Sequence, residues 1–262
     1  MEFAKDLRLA VLIDADNIPS TYVRELLEEI AKYGTPTFKR IYGDWTKPTL
    51  IGWKNVLLEN AISPIQQYSY TSGKNATDSA LIIDAMDILY TQRVDGFCIV
   101  SSDSDFTRLA TRLREAGMKV FGFGEKKTPA PFISSCNKFI YIEILKNEPI
   151  PVPATRTAVR SPAKREVTRV AAINKEVVKL ITDSINDIAE EDGWVYLGVI
   201  GNLILKKQPD FDPRNFGFTK LIDLLKRIPG LEIDTRPTGK HNVSHVYVRT
   251  KELGVPPAAK TR

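Results

Sequence analysis

The sequence predicts an α/β domain built on a central, mainly parallel sheet, followed by a smaller α+β domain. Three observations support this prediction. In the first part of the chain, short apolar runs typical of strands buried on both faces alternate with helices that carry one apolar stripe. A stretch rich in proline and basic residues then interrupts the pattern. Beyond it, three helical patterns are followed by two strand patterns.

The elements of the first domain can be assigned in order from hydrophobic periodicity. Apolar runs bounded by glycine, proline or polar residues predict a series of strands. These are 8–13, 36–42, 65–70, 97–100, 120–123 and 140–145. Helices are predicted to begin near Ser20, Trp53 and Asp78, and a fourth is predicted to end near Ala116. Strands that alternate with helices in this way produce a doubly wound sheet.

Composition is that of a globular protein, and it restricts the possible chemistry. The chain has 262 residues, of which 43% are apolar and 26% are charged, enough for one large or two modest domains. Two cysteines provide neither a disulfide framework nor a zinc set, and Cys98 lies in a predicted core strand. With only His241 and His245, zinc hydrolysis and histidine acid–base catalysis are disfavoured. No apolar run is long enough to span a membrane, and the acidic start is unlike a signal peptide, so we expect a cytoplasmic protein.

The net charge of +5 is unevenly distributed along the chain. Acidic and basic residues balance over 1–146, so the whole excess of positive charge falls in 147–262. A neutral first domain with clustered acids and a basic second domain are expected of a phosphodiester enzyme with a nucleic-acid-binding module. A basic surface that only improves solubility is the alternative.

Acidic residues follow two of the buried apolar runs. Asp14, Asp16 and Asn17 come directly after the first strand, and Asp103 and Asp105 follow the fourth. The carboxyl ends of parallel strands are where open sheets bind ligands. Serine and aspartate also cap helices, so capping is the alternative role for Asp103 and Asp105.

A third acidic junction lies between these two, where Lys74-Asn-Ala-Thr-Asp78 leads into the third helix. Helical geometry separates the acids of that helix, because Asp84 and Asp87 are rotated by about 120° and 180° from Asp78. Asp78 is therefore the best ligand candidate of the three. Asp84 interrupts an apolar face and needs hydrogen-bonding partners, whereas we expect Asp87 to face solvent.

Acidic residues at two strand ends and at one helix start of the same domain suggest that the acids converge on one site. Carboxylates that are crowded together repel one another, and this raises their pKa values unless a cation neutralises them. Hard oxygen ligands of this kind favour Mg²⁺ or Mn²⁺. The residues therefore predict a divalent-metal site formed by aspartates.

At these junctions the chain resembles the NYN domain, a branch of the PIN-like nucleases, and within it the bacterial LabA-like group. The resemblance covers about residues 5–146 and depends on four motifs in the family's order. The motifs are Ile13-Asp-Ala-Asp-Asn17, Lys74-Asn-Ala-Thr-Asp78, Asp84 and Val100-Ser-Ser-Asp-Ser-Asp-Phe106. The resemblance implies a PIN-like α/β/α fold and metal-dependent hydrolysis of RNA phosphodiester bonds, and we expect an endonuclease.

The matched motifs also imply roles for individual residues. The acids that correspond to the family's catalytic metal site, with Mg²⁺ or Mn²⁺ as cofactor, are Asp14, Asp78, Asp103 and Asp105. The residues assigned to substrate binding are Asn17, Lys74 and Ser102. Lys74 stands where a phosphate contact fits. Ser102 replaces a glycine of many family members, and it is small enough to leave the backbone path open.

Two other functions are compatible with parts of the sequence. Asp14-Ala-Asp16 resembles the nucleophile pair of haloacid-dehalogenase-type phosphatases, although Ile18 and the spacing of Asp103 and Asp105 fit that family poorly. A non-catalytic RNA-binding or adaptor protein could also retain acids as a remnant of the fold. The complete set of four acids argues against such decay.

The first domain is predicted to occupy residues 1–146. Residues 147–172 contain several prolines and an excess of basic residues, which predicts a semi-extended linker. The second domain is assigned to 173–250. Residues 251–262 are rich in proline, alanine and lysine, so we expect a disordered tail.

The second domain has the pattern of a winged helix, with three helices and a hairpin. The first helix is predicted to begin at Asn174, and the other two helices cover 199–207 and 216–225. The paired strands are predicted at 231–235 and 243–249. This region resembles the OST-HTH or LOTUS domain, an RNA-binding or protein-docking module that is often joined to NYN domains. The segments that carry the resemblance include Gly193-Trp-Val195, Leu197-Gly-Val-Ile-Gly201, 209–217 and Val246-Tyr-Val-Arg249.

Basic and aromatic residues of this domain are candidates for contact with RNA. The basic candidates, each of which could equally belong to a solvated surface, are Lys206, Lys207, Arg214, Lys220, Lys240 and Arg249. Trp194, Phe211, Phe216 and Phe218 could stack on bases. We expect these four in the core instead, because a small winged helix needs large apolar side chains. RNA is thus the predicted partner, and protein docking through this domain is the alternative.

Overall fold

A computed structural model of the protein describes residues 6–68, 76–146, 173–189, 191–237 and 244–251. The chain divides into two compact units, Met1–Ser161 and Pro162–Arg262. The predicted linker at 147–172 lies outside the described residues, as do residues 252–262 of the predicted tail. In the described ranges, no helix has both the length and the apolar character needed to cross a membrane.

The first unit is an α/β domain in which strands and helices alternate along the chain. Its strands are β1 Arg8–Asp14, β2 Thr35–Gly43, β3 Ser63–Gln66, β4 Gly96–Val100, β5 Lys119–Gly124 and β6 Lys138–Tyr141. Its helices are α1 Val23–Ile30, α2 Ile51–Leu57, α3 Ala76–Tyr90, α4 Thr107–Glu115 and α5 Ala130–Ser135. The predicted fold class is confirmed.

The six strands form one parallel sheet in the order β3-β2-β1-β4-β5-β6. The chain winds outward from β1 in one direction through β2 and β3, and in the other direction from β4 to β6. The winding therefore reverses between β1 and β4, and open α/β sheets bind ligands in the crevice beyond the strand ends at such a reversal. Ile13 pairs with Val100 in the register, so Asp14 and Ser101 emerge side by side at this crevice.

Two apolar clusters cover the two faces of this sheet. Leu9 and Val11 of β1 pack with α1 and α2 on one face, whereas Ala10 and Leu12 pack with α3 and α4 on the other. Side chains of a strand point alternately to its two faces, so an uninterrupted apolar run requires a helical layer on each side. β4 is buried along its whole length, including Cys98, as its sequence predicts.

Helix α3 is anchored to β2 through Asp84. The Asp84 carboxylate accepts hydrogen bonds from the guanidinium of Arg40 and from the hydroxyl of Tyr42. These are the partners that an acid on an apolar helix face requires. Burial and the neighbouring Asp84 raise the pKa of Tyr42 above its usual range, so the phenol remains a donor. Asp87 is exposed, as predicted.

Strand β3 differs from its prediction, which placed it at 65–70. It spans Ser63–Gln66, because among the described residues only these pair with β2, whose last partner is Gly43. Residues 69–70 of the prediction lie outside the described residues. Pro64 has no backbone N–H to donate, but β3 is an edge strand, where proline is tolerated. The alternation of apolar and polar residues after Gln66 therefore does not continue the sheet in the described residues that follow.

The last elements of the first unit also differ from the prediction. Strand β6 spans Lys138–Tyr141, and a 3-10 turn replaces the end of the strand that was predicted over 140–145. Helix α5 has no counterpart among the predicted elements, since its six residues are too few to show a helical period. Strand β5 is one residue longer at each end than the predicted 120–123, so it includes Gly124.

The second unit combines helices with a small antiparallel sheet. Its helices are α6 Lys175–Asn186, α7 Leu197–Lys207 and α8 Leu221–Leu225. Its strands are β7 Val195–Tyr196, β8 Leu231–Pro237 and β9 Ser244–Thr250, in the order β7-β9-β8. Asn174 caps α6, because its side chain accepts a hydrogen bond from Val177 N. The predicted α+β class is confirmed, with β7 as a strand beyond the predicted hairpin.

The third helix of this unit is shorter than predicted. Residues Pro213–Phe216 form a 3-10 turn, and Gly217 follows with a φ of 81°. Glycine adopts a positive φ readily, and a residue in this conformation commonly ends a helical segment. Helix α8 begins only at Leu221, so the prediction of a helix over 216–225 is wrong in its first half.

The core of the second unit contains three of the four aromatic residues expected there. Phe211 is buried, and Phe216 and Phe218 pack against the same cluster. Trp194 is not part of this cluster, and its predicted core position is wrong. The reason is strand alternation, since Val195 points into the core and its neighbours in the chain point to the opposite face of the sheet.

Candidate metal centre

The candidate site lies where β1 and β4 end, at the reversal of the winding of the sheet. Asp14 is the last residue of β1, and Ser101 directly follows β4. The Ser101 hydroxyl donates a 2.8 Å hydrogen bond to the Asp14 carboxylate. The Ser101 N–H in turn donates to Phe123 O of β5 at 2.9 Å. Three neighbouring strands therefore hold the base of the site in place.

Asp14 is fully buried and accepts hydrogen bonds from several donors. In addition to Ser101, Asn17 Nδ2 donates to it at 2.5 Å and Asp16 N at 3.1 Å. Burial raises the pKa of Asp14, whereas the hydrogen bonds from Asn17 and Ser101 act in the opposite direction because they stabilise the charged form. The Asn17 side chain thus orients an acid in this structure, and its contact with substrate stays a prediction.

Ser101 is a site residue that the sequence prediction missed. Its hydroxyl oxygen accepts a hydrogen bond from Asp103 N at 3.1 Å while the hydroxyl donates to Asp14. One side chain therefore couples the acid of β1 to the turn after β4. Gly124 leaves room for this turn, since a Cβ there would lie 2.6 Å from Ser101 O. The available signal was the position of Ser101 as the first polar residue after an apolar strand.

Asp103 and Asp105 lie at the start of the 3-10 turn Ser104–Phe106, which leads into α4. Asp103 Oδ1 accepts a hydrogen bond from Asp105 N at 2.9 Å, so one of its two carboxylate oxygens caps the turn, as the capping alternative proposed. A carboxylate has a second oxygen and further acceptor positions, so the cap is compatible with a ligand role. Asp103 is half-buried and Asp105 is exposed.

Asp78 reaches the same place from the first turn of α3. Its pKa is raised to about 6, first by burial and then by the negative charges of Asp14, Asp103 and Asp105. The shift indicates that acids from three separate segments lie close enough to repel one another. A divalent cation would oppose the shift by supplying positive charge.

Three of these carboxylates are close enough to share one cation. One oxygen from each of Asp78, Asp103 and Asp105 lies within 4.8 Å of the others. Carboxylate oxygens at this spacing suit the octahedral, all-oxygen coordination of Mg²⁺ or Mn²⁺. Asp14 lies beside this group, since Ser101 is hydrogen-bonded both to its carboxylate and to Asp103 N, and it is the most deeply buried of the four acids.

Two further elements reach the rim of the site through Asp16. Its carboxylate accepts a hydrogen bond from Thr77 Oγ1 at the start of α3, at 3.3 Å. Lys47, in the loop after β2, places its Nζ 3.7 Å from Asp16 Oδ1. Lys47 is a second residue that the sequence prediction missed, because nothing in its local pattern connects it to the acids.

The other residues assigned to substrate binding have different surroundings. Ser102 is buried, and its hydroxyl accepts a hydrogen bond from Glu125 N at 2.8 Å. Lys74 lies outside the described residues, together with the rest of 69–75. Contact of either residue with substrate stays a prediction.

The basic candidates of the second unit also differ from one another. Lys206 and Lys220 are exposed. Lys207 and Arg214 each pair with an aspartate, at 2.6 Å and 2.7 Å. Lys240 lies outside the described residues. Among the candidates whose surroundings are described, Lys206 and Lys220 are therefore the ones whose positive charge is most available for contact with phosphate.

Comparison with known proteins identifies two families in the chain. Residues 8–143 match the family model of the NYN domain, and residues 168–243 match that of the OST-HTH/LOTUS domain. No curated protein matches the sequence.

Three solved structures are similar to parts of the chain. A protein of unknown function from Vibrio parahaemolyticus is 19% identical with a TM-score of 0.45, over 54% of this chain and 96% of its own. A protein from Nitrosomonas europaea is 27% identical with a TM-score of 0.28, over 38% of this chain and 92% of its own. A protein fragment from Chromobacterium violaceum is 23% identical with a TM-score of 0.26, over 36% of this chain and 100% of its own.

The NYN match extends over the described α/β sheet and includes every residue of the acidic site. The OST-HTH/LOTUS match covers the helices α6 to α8 and the strands β7 and β8 of the second unit. Both resemblances inferred from the motifs are confirmed. The protein therefore belongs to the NYN domain family of PIN-like nucleases and carries an OST-HTH/LOTUS domain after its nuclease-type unit.

Proposed function

We propose that the protein is a metal-dependent ribonuclease that hydrolyses RNA phosphodiester bonds and binds RNA through its second unit. The observation that carries the proposal is the group of Asp78, Asp103 and Asp105, whose oxygens lie within 4.8 Å of one another at the reversal of the sheet. Membership of the NYN family supports nuclease chemistry. The all-oxygen donor set supports Mg²⁺ or Mn²⁺ as the cofactor.

The proposed roles follow from the positions of the acids. Asp78, Asp103 and Asp105 would hold the cation, and the predicted role of the buried Asp14 as a fourth ligand stays a prediction. The bound cation would lower the pKa of a coordinated water and neutralise charge on the scissile phosphate. The protein supplies orientation, since Ser101 holds the Asp14 carboxylate and the turn that bears Asp103.

Substrate recognition in the first unit is assigned to the rim of the acidic centre. Lys74 precedes α3 in the chain and is proposed to contact a substrate phosphate. Lys47 is added to this assignment, because its ammonium group lies 3.7 Å from an Asp16 oxygen and its side chain is 40% exposed. Asn17 and Ser102 are proposed to position the RNA backbone next to the acids.

RNA binding by the second unit is supported by its OST-HTH/LOTUS match. Lys206 and Lys220 offer exposed ammonium groups for phosphate contacts. Lys207, Arg214 and Lys240 complete the proposed basic set. If this unit docks a protein instead, removal of these charges will leave the affinity for RNA unchanged.

The phosphatase alternative is disfavoured by the surroundings of Asp14. A nucleophilic aspartate needs a carboxylate oxygen that faces the phosphate. The Asp14 side chain has no exposed surface, and both of its oxygens already accept hydrogen bonds. The NYN match further favours nuclease chemistry.

The test is a cleavage assay with the full chain. Single-stranded, structured and circular RNAs are incubated with Mn²⁺, with Mg²⁺ and with EDTA. We expect cleavage only with a divalent cation, and linearisation of the circular RNA shows the endonucleolytic mode. Asp103→Asn should abolish the cleavage while leaving the fold intact, because asparagine caps a helical turn as well as aspartate does.

Asp87→Asn is the matched control, since Asp87 is an exposed acid of α3 outside the acidic group. This variant should cleave RNA at the parental rate. Metal-dependent cleavage that persists in Asp103→Asn would refute the assignment of the site. Lack of cleavage by the parent in every metal would favour the non-catalytic alternative.

A further inference from the structure

The outer face of the small sheet in the second unit carries aromatic side chains that the core does not use. Val248 of β9 points into the core, so Tyr247 and His245 point to the opposite face. Tyr196 pairs with Tyr247 across the strands, and Trp194 precedes β7 on the same side. We call Trp194, Tyr196, His245 and Tyr247 the aromatic sheet face.

The rings of this face are close together and accessible. The ring centroid of Tyr196 lies 5.0 Å from that of His245 and 5.9 Å from that of Tyr247. Tyr196 is 41% exposed, and His245 is exposed as well. Exposed aromatic side chains that cluster on one surface, rather than being scattered singly, indicate a binding site.

Two arginines extend the face with flat cationic groups. The guanidinium carbon of Arg236 lies 5.3 Å from the ring centre of Trp194 and 4.4 Å from that of Tyr247. The guanidinium carbon of Arg249 lies 4.6 Å from the ring centre of Trp194. Each arginine is also paired with an acid of β8, at 2.8 Å and 2.6 Å. The acids hold the guanidinium groups beside the rings and neutralise much of their charge.

We propose that the aromatic sheet face binds unpaired bases of single-stranded RNA by stacking, with Tyr196 and Tyr247 as the principal contacts. Aromatic rings and guanidinium planes are the groups on which proteins stack bases. The proposal rests on RNA binding by the second unit and deepens it, because it names the surface and the form of RNA. The lysines proposed to contact phosphates, such as Lys206 on α7, belong to other elements, whereas Arg249, also a basic candidate, lies beside this face on β9.

The side chains of the face favour RNA over an apolar protein surface. In the described parts of β8 and β9, the outward positions alternate with the core positions and hold only acids, arginines, histidine and tyrosine. None of these outward side chains is aliphatic, so the surface offers flat aromatic rings and guanidinium groups on which bases stack. Duplex RNA hides the faces of its bases, so it has nothing to stack on this surface.

Binding to RNA is measured by fluorescence anisotropy with the full chain. The chain carries Asp103→Asn and EDTA is present, so that binding is observed without cleavage. The probes are a labelled A/C-rich single strand and a duplex of the same length. Tyr196→Ala and Tyr247→Ala should each weaken binding of the single strand about tenfold and leave binding of the duplex unchanged. The loss should be similar at low and high salt, because stacking releases few counterions.

Two controls separate stacking from other effects. Tyr196→Phe keeps the ring and should bind the single strand as the parent does. Tyr90→Ala removes a tyrosine of α3 that is 70% exposed in the first unit, and it should also leave the affinity unchanged. Circular dichroism of each variant shows whether the second unit is folded.

The proposal is overturned if the folded double variant Tyr196→Ala with Tyr247→Ala binds the single strand as tightly as the parent. It is also overturned if Tyr196→Phe loses as much affinity as Tyr196→Ala, or if duplex and single strand weaken together. Failure of the ribonuclease proposal has a different signature, because it shows as the absence of metal-dependent cleavage in the parent chain whatever the affinity for RNA.

Discussion

The acidic centre of the first unit and the aromatic sheet face of the second are built in opposite ways. In the centre, Asp14 has no exposed surface and is held by Asn17 and Ser101. On the sheet face, Tyr196 and His245 lie open on strands whose other side forms the core. Like charges separate unless fixed donors hold them, so the centre needs a rigid network. Stacking needs an accessible ring, so the face needs exposure.

This difference has a consequence for stability. In the metal-free protein the charge of Asp78 is unfavourable, because burial and, after it, repulsion by the neighbouring acids raise its pKa. Their arrangement therefore costs stability that a bound cation restores. The rings of the sheet face are outside the core, so their removal should change binding and leave stability almost unaffected. Variants at the two places should separate these effects.

The largest effect is expected for Asp78→Asn. Loss of one carboxylate ligand should weaken binding of Mn²⁺ about a hundredfold or more and abolish metal-dependent cleavage. The same change should raise the melting temperature in EDTA at neutral pH, because it removes a charge that burial and the neighbouring acids destabilise. Calorimetric titration with Mn²⁺ and thermal unfolding in EDTA measure the two effects. A lower melting temperature in EDTA would contradict an unfavourable charge at Asp78.

Ser101→Ala should impair both the stability and the activity of the first unit. The variant removes a donor from the buried carboxylate of Asp14 and an acceptor from Asp103 N. We expect a loss of about 1–3 kcal/mol in the free energy of unfolding and a cleavage rate lower by about tenfold to a hundredfold. Urea unfolding and initial cleavage rates measure these changes.

Ser104→Ala is the matched control for Ser101→Ala. Ser104 is an exposed serine of the same turn, so its replacement should change the free energy of unfolding by less than about 0.5 kcal/mol. If the two variants behave alike, Ser101 does not couple the two strand ends.

The pH dependence of stability tests the raised pKa of Asp78, and the expected change in melting temperature is smaller than in the preceding experiments. The pKa of Asp78 is about 6 in the folded protein, against a usual value of 3.8. Between these values the folded state binds a proton that the unfolded state lacks, so the metal-free protein loses stability as the pH rises from about 4 to about 6. Asp78→Asn lacks this contribution, so its melting temperature should fall less over the same range. Parallel melting profiles of the parent and the variant would contradict the raised pKa.

The smallest effect on stability is expected on the aromatic sheet face. Tyr196→Ala should change the free energy of unfolding by about 0.5 kcal/mol or less, because the ring lies outside the core cluster. Phe211→Ala in the same unit should cost about 3–5 kcal/mol, since Phe211 is buried. Urea unfolding of the two variants compares them directly. Equal losses would mean that Tyr196 is a structural residue, and the contrast between the two regions would disappear.

Most of the fold and the positions of the acids could be predicted from local patterns. Apolar runs such as 97–100 are buried on both faces wherever they occur in a parallel sheet, and they predicted β4 and the buried Cys98. Asp103 follows that run, and Asp78 lies in the first turn of a helix. These assignments needed no knowledge of contacts that are distant in the chain.

The wrong predictions concern residues whose positions depend on contacts that are distant in the chain. Trp194 was predicted in the core. Because Val195 points into the core, the side chain of Trp194 lies on the other face of the sheet. The predicted strand at 65–70 is shifted because pairing with β2 ends at Gly43. Asp84 needed partners, and only the packing of α3 on β2 identified Arg40 and Tyr42.

The sequence by itself determined the order of strands and helices, the acids at their junctions and the two family resemblances. These depend on hydrophobic periodicity and on residues that are neighbours in the chain. Only the tertiary structure decided that Asp78, Asp103 and Asp105 share one small volume and that Ser101 joins Asp14 to their turn. It also decided that the aromatic side chains of β7 and β9 face outward together. The physical reason is that the order of strands in the sheet and the register between them set these distances, and neither is encoded in a local pattern.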